Sequence, residues 1–212
     1  MIVAIDGPAA SGKGTLAKRI AAHYGLSHLD TGMLYRAVAR QMLLAGEGLG
    51  DPVAAERAAL ALDTAVLDEP ALRSRHMGEA ASVVAQFPGV RAALLKAQRN
   101  FAAERAGAVV EGRDIGTVIF PNADVKIFVT ADLRERARRR YNELSERGEA
   151  TSEDAVFADL EKRDRRDQSR QAAPLSVAKD AHLLDTTKMD IETAFFAAVK
   201  LIDAAIGRAA QS

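Results

Sequence analysis

Residues Gly7-Pro8-Ala9-Ala10-Ser11-Gly12-Lys13-Gly14-Thr15 combine three glycines, a lysine and a terminal hydroxyl in one short stretch. These residue types at this spacing suit the holding of phosphate groups. Glycine lets backbone N–H groups turn inward and approach phosphate oxygens with no Cβ in the way. Lys13 adds a full charge that can follow a phosphoryl group as it transfers. All of residues 7–15 are therefore read as phosphate contacts. One position departs from the strict pattern: Gly14 stands where the hydroxyl normally follows the lysine, and Thr15 comes next.

A second set of candidates is cationic. A phosphoryl-transfer enzyme needs positive charge around the acceptor and the transferring group as well as a donor loop. Arg36, Arg91, Arg113, Arg163 and Arg170 stand at strand ends or on the segments between them. Arginine suits the task because its planar fork matches phosphate oxygens and keeps its charge. Taken singly, Arg36 and Arg91 read as solvated helix arginines, Ser82 as an ordinary helix serine, and Arg113-Asp114 as a local ion pair.

These residues need elements to position them. Met1 to Asp6 is a short apolar run that reads as a buried strand, and Leu16 to Ala22 follows at helical spacing. The loop thus joins a strand end to a helix start, where the helix dipole adds positive potential. Further strands are expected at Leu26–Asp30, Ala108–Val110, Asp124–Val129 and Ala181–Asp185. Helices are expected from Thr31 to Leu44, from Val90 to Arg105 and from about Asp190 to Ile206. Residues 51–80 are Ala-rich and helical in character, with Pro52 and Pro70 as breakers. Phe128 and Phe195 fall on core-facing positions. Short apolar strands alternating with helices predict an α/β fold, a five-stranded parallel sheet flanked by helices. Ligands in such sheets bind beyond the carboxyl ends of the strands.

Two segments interrupt the alternation, at about 40–106 and at 132–170. The second reads as two polar helices, with Thr151 or Ser152 as the cap of the later one. It carries eleven Lys/Arg and eleven Asp/Glu, so most of its charges are expected to pair on a solvated face.

Composition narrows the function. The 212 residues suit one α/β domain with insertions, and Lys plus Arg equals Asp plus Glu at 29 each. That balance argues against a general nucleic-acid or membrane-surface binder. No cysteine is present, so no disulfide or thiolate metal site is expected, and the four histidines are scattered. With the core strand at the first residues and no long apolar run, a cytoplasmic protein with no signal peptide and no membrane span is expected. A monomer is expected.

The Gly12-Lys13-Gly14-Thr15 ending resembles the nucleoside monophosphate kinases. Asp30-Thr31-Gly32-Met33-Leu34-Tyr35-Arg36, then Ala81 to Ala85 with Phe87-Pro88 and Val90-Arg91, resemble the acceptor region of the bacterial cytidylate kinase family. So do Glu111-Gly112-Arg113-Asp114-Ile115-Gly116-Thr117 and Arg163 to Arg170 followed by Ala173-Pro174-Leu175. The resemblance covers nearly the whole chain in order. It implies a single P-loop kinase domain over 1–212, with 40–106 as the CMP-binding insert and 132–170 as a helical lid. It implies ATP as phosphoryl donor with Mg²⁺, Thr15 helping to place the metal directly or through water, and CMP or dCMP as acceptor. Thr31, Arg36, Arg113 and Arg170 would hold the acceptor phosphate. Ser82, Arg91 and Asp114 would read the cytosine, and Arg163 and Asp167 would contact the sugar. Lys13, Arg113, Arg163 and Arg170 would surround the transferring group.

Two departures stand against the family pattern. Thr31 replaces the Ser of some members, which keeps the hydroxyl, and the region around 60–77 is shorter than in members that carry extra strands there. Rival readings are a kinase for UMP, AMP or a non-nucleotide alcohol, a GTPase switch, and a nucleic-acid-remodelling ATPase. The GTPase would need an Asn-Lys-x-Asp guanine reader, which the sequence lacks.

Overall fold

The computed structural model describes residues 1–63 and 69–209. Five parallel strands form one sheet in the order β2-β3-β1-β4-β5. They are β1 Ile2–Asp6, β2 Ser27–Asp30, β3 Ala108–Gly112, β4 Val125–Thr130 and β5 His182–Asp185. The five-stranded α/β expectation holds, and the strand limits move by no more than two residues. β1 is central, with Ile2 opposite Ala108 of β3 and Val3 opposite Val125 of β4. It is covered on both faces, which is why it reads as a continuous apolar run rather than an alternating one. The chain goes to one side of β1 for β2 and β3 and to the other for β4 and β5. The crevice therefore opens at the carboxyl end of β1, where the phosphate loop begins.

Helix α1, Lys13–Tyr24, buries Leu16, Ala17, Ile20 and Ala21 against the sheet. Helix α9, Ile191–Ala209, packs beside it and buries Phe195, Ala198 and Ile202 in the same core with Val3, Ile5, Val109 and Ile127. Burying each Ile or Leu there contributes about 1.5–3 kcal/mol. The opposite face is built from Ala4, Val110, Ile115 and Ile119, with Ala102 from helix α6, Pro88–Ala103. Phe128 and Phe195 are both buried, as expected.

Helix α2, Thr31–Leu44, leaves the end of β2 and starts a separate apolar layer with α3, Pro52–Leu60, α5, Arg75–Val84, and α6. The short helix α4, Glu69–Leu72, precedes α5. Pro52 does not break a helix but starts one. It sits in the first turn of α3, where its missing N–H would have no partner anyway, and Asp51 caps that turn. Likewise Pro88 opens α6 two residues before the expected start. Of the shortened 60–77 region, residues 64–68 lie outside the described residues.

A helical arm leaves β4 as α7, Leu133–Glu146, and returns as α8, Glu153–Ser169. Asp132 caps the first helix, and Ser152 accepts the Ala155 N–H at 3.2 Å to cap the second. The inner seam of the arm, with Ala137, Leu144, Val156 and Leu160, packs on Ala9 of the phosphate loop. Among the described residues no helix is long and apolar enough to cross a membrane.

Candidate functional site

The loop after β1 is shaped by glycines for different reasons. A Cβ on Gly7 would lie 2.0 Å from the Val129 carbonyl oxygen, so no side chain fits. Gly12 has φ +85° and begins α1 with no side-chain cap, and the first turn carries no acidic residue. The leading N–H groups of α1 are thus left for an anion. Gly14 has no such backbone demand. Its Cβ would meet the Glu111 carboxylate at 3.3–3.4 Å, so this glycine leaves room for a side chain across the crevice. The loop is braced from behind: Arg136 donates to the Ala9 carbonyl at 3.2 Å, and Thr186 donates to the Ser11 carbonyl at 3.1 Å.

Two clefts meet at this loop. The first is lined by Ala9, Ala10, Lys13 and Gly14 from the loop and by every acceptor-side candidate: Thr31, Arg36, Ser82, Arg91, Arg113, Asp114, Arg163, Asp167 and Arg170. The second lies on the other side of the loop, between Ser11, Gly12 and Thr15 and the residues Arg138, Arg139, Thr186, Met189 and Ile191. Gly7 and Pro8 line neither cleft and shape the turn instead.

Lys13 is half-buried in the first cleft. Burial, reinforced by the Arg113 charge, pushes its pKa down to about 8 against the opposing pull of Glu111 and Asp30. Glu111, the penultimate residue of β3, has its side chain 3.0 Å from the His28 ring. Thr31 donates to the Glu111 carbonyl at 2.8 Å, and Asp30 caps α2 by accepting the Gly32 N–H at 2.9 Å. A Cβ on Gly112 would lie 2.6 Å from the Thr31 hydroxyl oxygen, so glycine is needed where β3 and α2 converge.

Arg113 and Asp114 do not pair with each other. Arg113 donates to Asp167 at 2.9 Å, whereas Asp114 pairs with Arg91 and lies 3.4 Å from Arg170. Ser82 donates to the second Asp167 oxygen at 3.4 Å. Burial alone would raise the Asp167 carboxyl, but the charges of Arg113, Arg163 and Arg170 outweigh it and hold it below the ordinary carboxylate range. Arg91 stands over the Tyr35 ring, 5.6 Å from its centroid. Arg36 donates to the Leu72 and Ser74 carbonyls, and the buried Nε of Arg163 has no hydrogen-bond partner among the described residues. Neither Arg36 nor Arg91 is the solvated helix arginine that its sequence position alone suggests, because α2 and α6 turn them inward.

Sequence reasoning gave no role to Glu111, Asp30, Tyr35, Arg75 or Arg140, which also line the first cleft. Glu111 was legible in principle, since it stands at the carboxyl end of a strand. Arg139 was hidden in the balanced charges of the arm; it reaches the Thr186 carbonyl at 2.6 Å across the second cleft. For a magnesium nucleotide, Thr15, Asp30 and Glu111 supply hard oxygen donors beside the loop, and no cluster of three or more metal-ligating side chains is present among the described residues. The donor set therefore fits an ion carried mainly by phosphate oxygens and water.

Comparison with known proteins identifies the family. Residues 3–204 match the family model described as cytidylate kinase. A cytidylate kinase of Rhodopseudomonas palustris (strain BisB18) is 60% identical over 204 residues, covering 96% of each chain. One from Methylocella silvestris is 60% identical over 205 residues, covering 97% of this chain and 95% of its own. A crystal structure of an uncharacterized protein from Eubacterium ventriosum shares the fold, with a TM-score of 0.56 at 17% identity over 96% of this chain and 98% of that one. With a model match over nearly its whole length and relatives at this identity, the chain belongs to the cytidylate kinase family.

Proposed function

We propose that the chain transfers the terminal phosphoryl group of ATP to CMP or dCMP, giving ADP and CDP or dCDP. The observation that carries this reading is the meeting of Lys13 with the Asp114–Arg91 pair in a single cleft of a cytidylate kinase family member. The loop of residues 7–15 holds the donor phosphates, with the nucleoside in the second cleft beside Met189 and Ile191. Thr15 is among the residues that would help to hold Mg²⁺, which would offset phosphate charge there. The acceptor phosphate sits among Thr31, Arg36, Arg113 and Arg170, close to Lys13. Arg163 and Asp167 contact the sugar.

Base selection follows from hydrogen-bond polarity. Cytosine offers a donor at N4 and acceptors at N3 and O2; a carboxylate only accepts and a guanidinium only donates. Asp114 takes the amino group, while Arg91 and Ser82 serve the acceptor edge. With uracil, O4 faces a carboxylate that only accepts, and N3–H faces the Arg91 guanidinium, which only donates. Each such buried mismatch costs about 1–3 kcal/mol, enough for one or more orders of magnitude.

The acceptor phosphate oxygen is itself a competent nucleophile, so no covalent enzyme intermediate is needed. The protein orients the two phosphates in line and surrounds the transferring group with Lys13, Arg113, Arg163 and Arg170. Residues 132–170 act as the lid that excludes water, and 40–106 as the acceptor insert. A monomer working in the cytoplasm, with no nucleic-acid partner, accords with the balanced charge. A coupled ADP-release assay against CMP, dCMP, UMP and AMP tests the reading. Preferential use of CMP and dCMP supports it; preference for UMP or AMP, or turnover only with RNA or DNA, overturns it.

A further inference from the structure

Asp6 ends β1, one residue before the phosphate loop, and is 5% exposed. It lines neither cleft, and among the described residues its carboxylate makes no hydrogen bond to an acceptor-side side chain. Its two oxygens accept two consecutive backbone N–H groups, Ile115 at 2.7 Å and Gly116 at 2.8 Å. Those N–H groups open a π-helical turn, Ile115–Ile119, whose first carbonyl is that of Asp114. The Asp114 carbonyl accepts both Val118 at 2.9 Å and Ile119 at 3.1 Å. The Arg113-Asp114 dipeptide is thus the last stretch before a turn that is gripped from the sheet side by one carboxylate.

The turn is packed on this side by two side chains: a Cβ on Gly116 would lie 3.1 Å from the Lys126 stem and 3.4 Å from Asp6 Oδ2. Among the described residues no cation lies within 4 Å of the Asp6 carboxylate. Burial pushes its pKa up to about 6, with Asp114 adding to the rise while the two N–H bonds and Arg113 oppose it. A buried charge held only by backbone dipoles is an expensive way to fill space, since an apolar side chain would fill it at lower cost. What the charge secures is the placement of the turn.

On the proposed function, which this inference rests on, we propose that Asp6 is a positioning residue for the acceptor nucleotide. By fixing the Ile115 and Gly116 amides it sets where Arg113 and Asp114 enter the cleft, although it touches no substrate itself. Asp6 therefore acts on acceptor choice from a strand whose loop serves the donor.

The test is steady-state kinetics of Asp6→Asn with CMP, UMP and ATP varied in turn, on protein whose folding is checked by far-ultraviolet circular dichroism. Asparagine keeps the shape but offers one acceptor oxygen for two N–H groups. The expected result is a fall of about tenfold in kcat/KM for CMP and in the CMP-to-UMP ratio, with KM for ATP changed less than about twofold. An unchanged CMP-to-UMP ratio overturns the inference, as does a KM for ATP that moves as far as that for CMP, which would mark a donor-loop or general structural role. If Asp6→Asn does not fold, Gly116→Ala perturbs the same turn with Asp6 intact, its methyl meeting the Lys126 stem at 3.1 Å and Asp6 Oδ2 at 3.4 Å. It should give the same acceptor-only split, and no split overturns the inference. If the unmodified chain prefers another monophosphate, the proposed function fails while the split is read with that acceptor, so the two failures are distinguishable.

Discussion

Arg36 and Arg163 bring their guanidinium groups to the same bare point of α5: a Cβ on Gly78 would lie 3.2 Å from the one and 3.5 Å from the other. Two cations from α2 and α8 thus share a cleft wall. Burial lowers both, Arg36 to about 9 and Arg163 to about 10; the Arg163 charge acts further on Arg36, and the Arg113 charge on Arg163. The free protein holds this repulsion in readiness for an anion. Arg163→Met should therefore weaken CMP binding about tenfold or more while raising the melting temperature by about 2–4 °C per kcal/mol of strain relieved. Titration calorimetry and a thermal melt check the two halves. A variant that binds CMP normally, or that melts lower, would contradict the paired-cation account.

The Asp114–Arg91 pair is buried on both sides. Removing the carboxylate outright would strand Arg91 and lower stability, so Asp114→Asn is the cleaner change. Its amide can present either an oxygen or an N–H. The preference for CMP over UMP should fall by about one order of magnitude, the cost of one polar mismatch. Ratios of kcat/KM for the two acceptors measure it, and an unaltered ratio would assign base reading elsewhere.

Lys13 yields a kinetic and a pH prediction. Lys13→Ala should lower kcat by a hundredfold or more, about 3–4 kcal/mol, with a smaller change in KM. In the free protein its ammonium titrates near pH 8. A bound triphosphate favours the charged form and raises that value. ATP binding should therefore take up a proton at and above pH 8, and affinity should weaken as pH rises through 8. Calorimetry in two buffers of different ionisation enthalpy reports the proton; equal heats in both at pH 8.5 would exclude it.

The arm is tied to α5 by charge. Arg75 reaches Asp159 at 2.6 Å, and Arg166 reaches Glu79 at 2.7 Å. Exposed pairs of this kind contribute about 0.2–1 kcal/mol each and weaken with salt. Amide exchange across 133–169 should therefore quicken from low to high salt in the free protein. It should slow sharply when CMP and a non-hydrolysable ATP analogue are both bound. Protection that nucleotides leave unchanged would remove the lid role.

The phosphate loop was legible because its meaning is local: a strand, a turn and a helix start lie within a few residues of one another. So were the inner strands β1, β3 and β4, whose burial on both faces leaves largely apolar runs, whereas the edge strands β2 and β5 are only partly buried and offer shorter apolar signals. The partners of Arg113 and Asp114 were not. Asp167 and Arg91 are distant in sequence, and neighbouring opposite charges invite the wrong pairing. The inward turn of Arg36 depends on how α2 and α5 pack, which no residue of α2 encodes alone. In the sequence Gly14 reads as a source of backbone freedom, whereas in the fold its place for a Cβ is bounded by the Glu111 carboxylate at 3.3 Å, a constraint set from another strand.

The central place of β1 also bears on how the chain is made. Ile2 pairs with Ala108 and Val3 with Val125, so both edges of this strand stay open until more than a hundred further residues exist. At ribosomal speeds of about 5–20 residues per second, that interval is on the order of ten seconds. During it Ile2-Val3-Ala4-Ile5 is an apolar strand with no hydrogen-bonding partner on either side, the kind of segment that pairs with other chains. Nascent-chain aggregation should accordingly end abruptly once β4 has left the ribosome, rather than decline gradually with length.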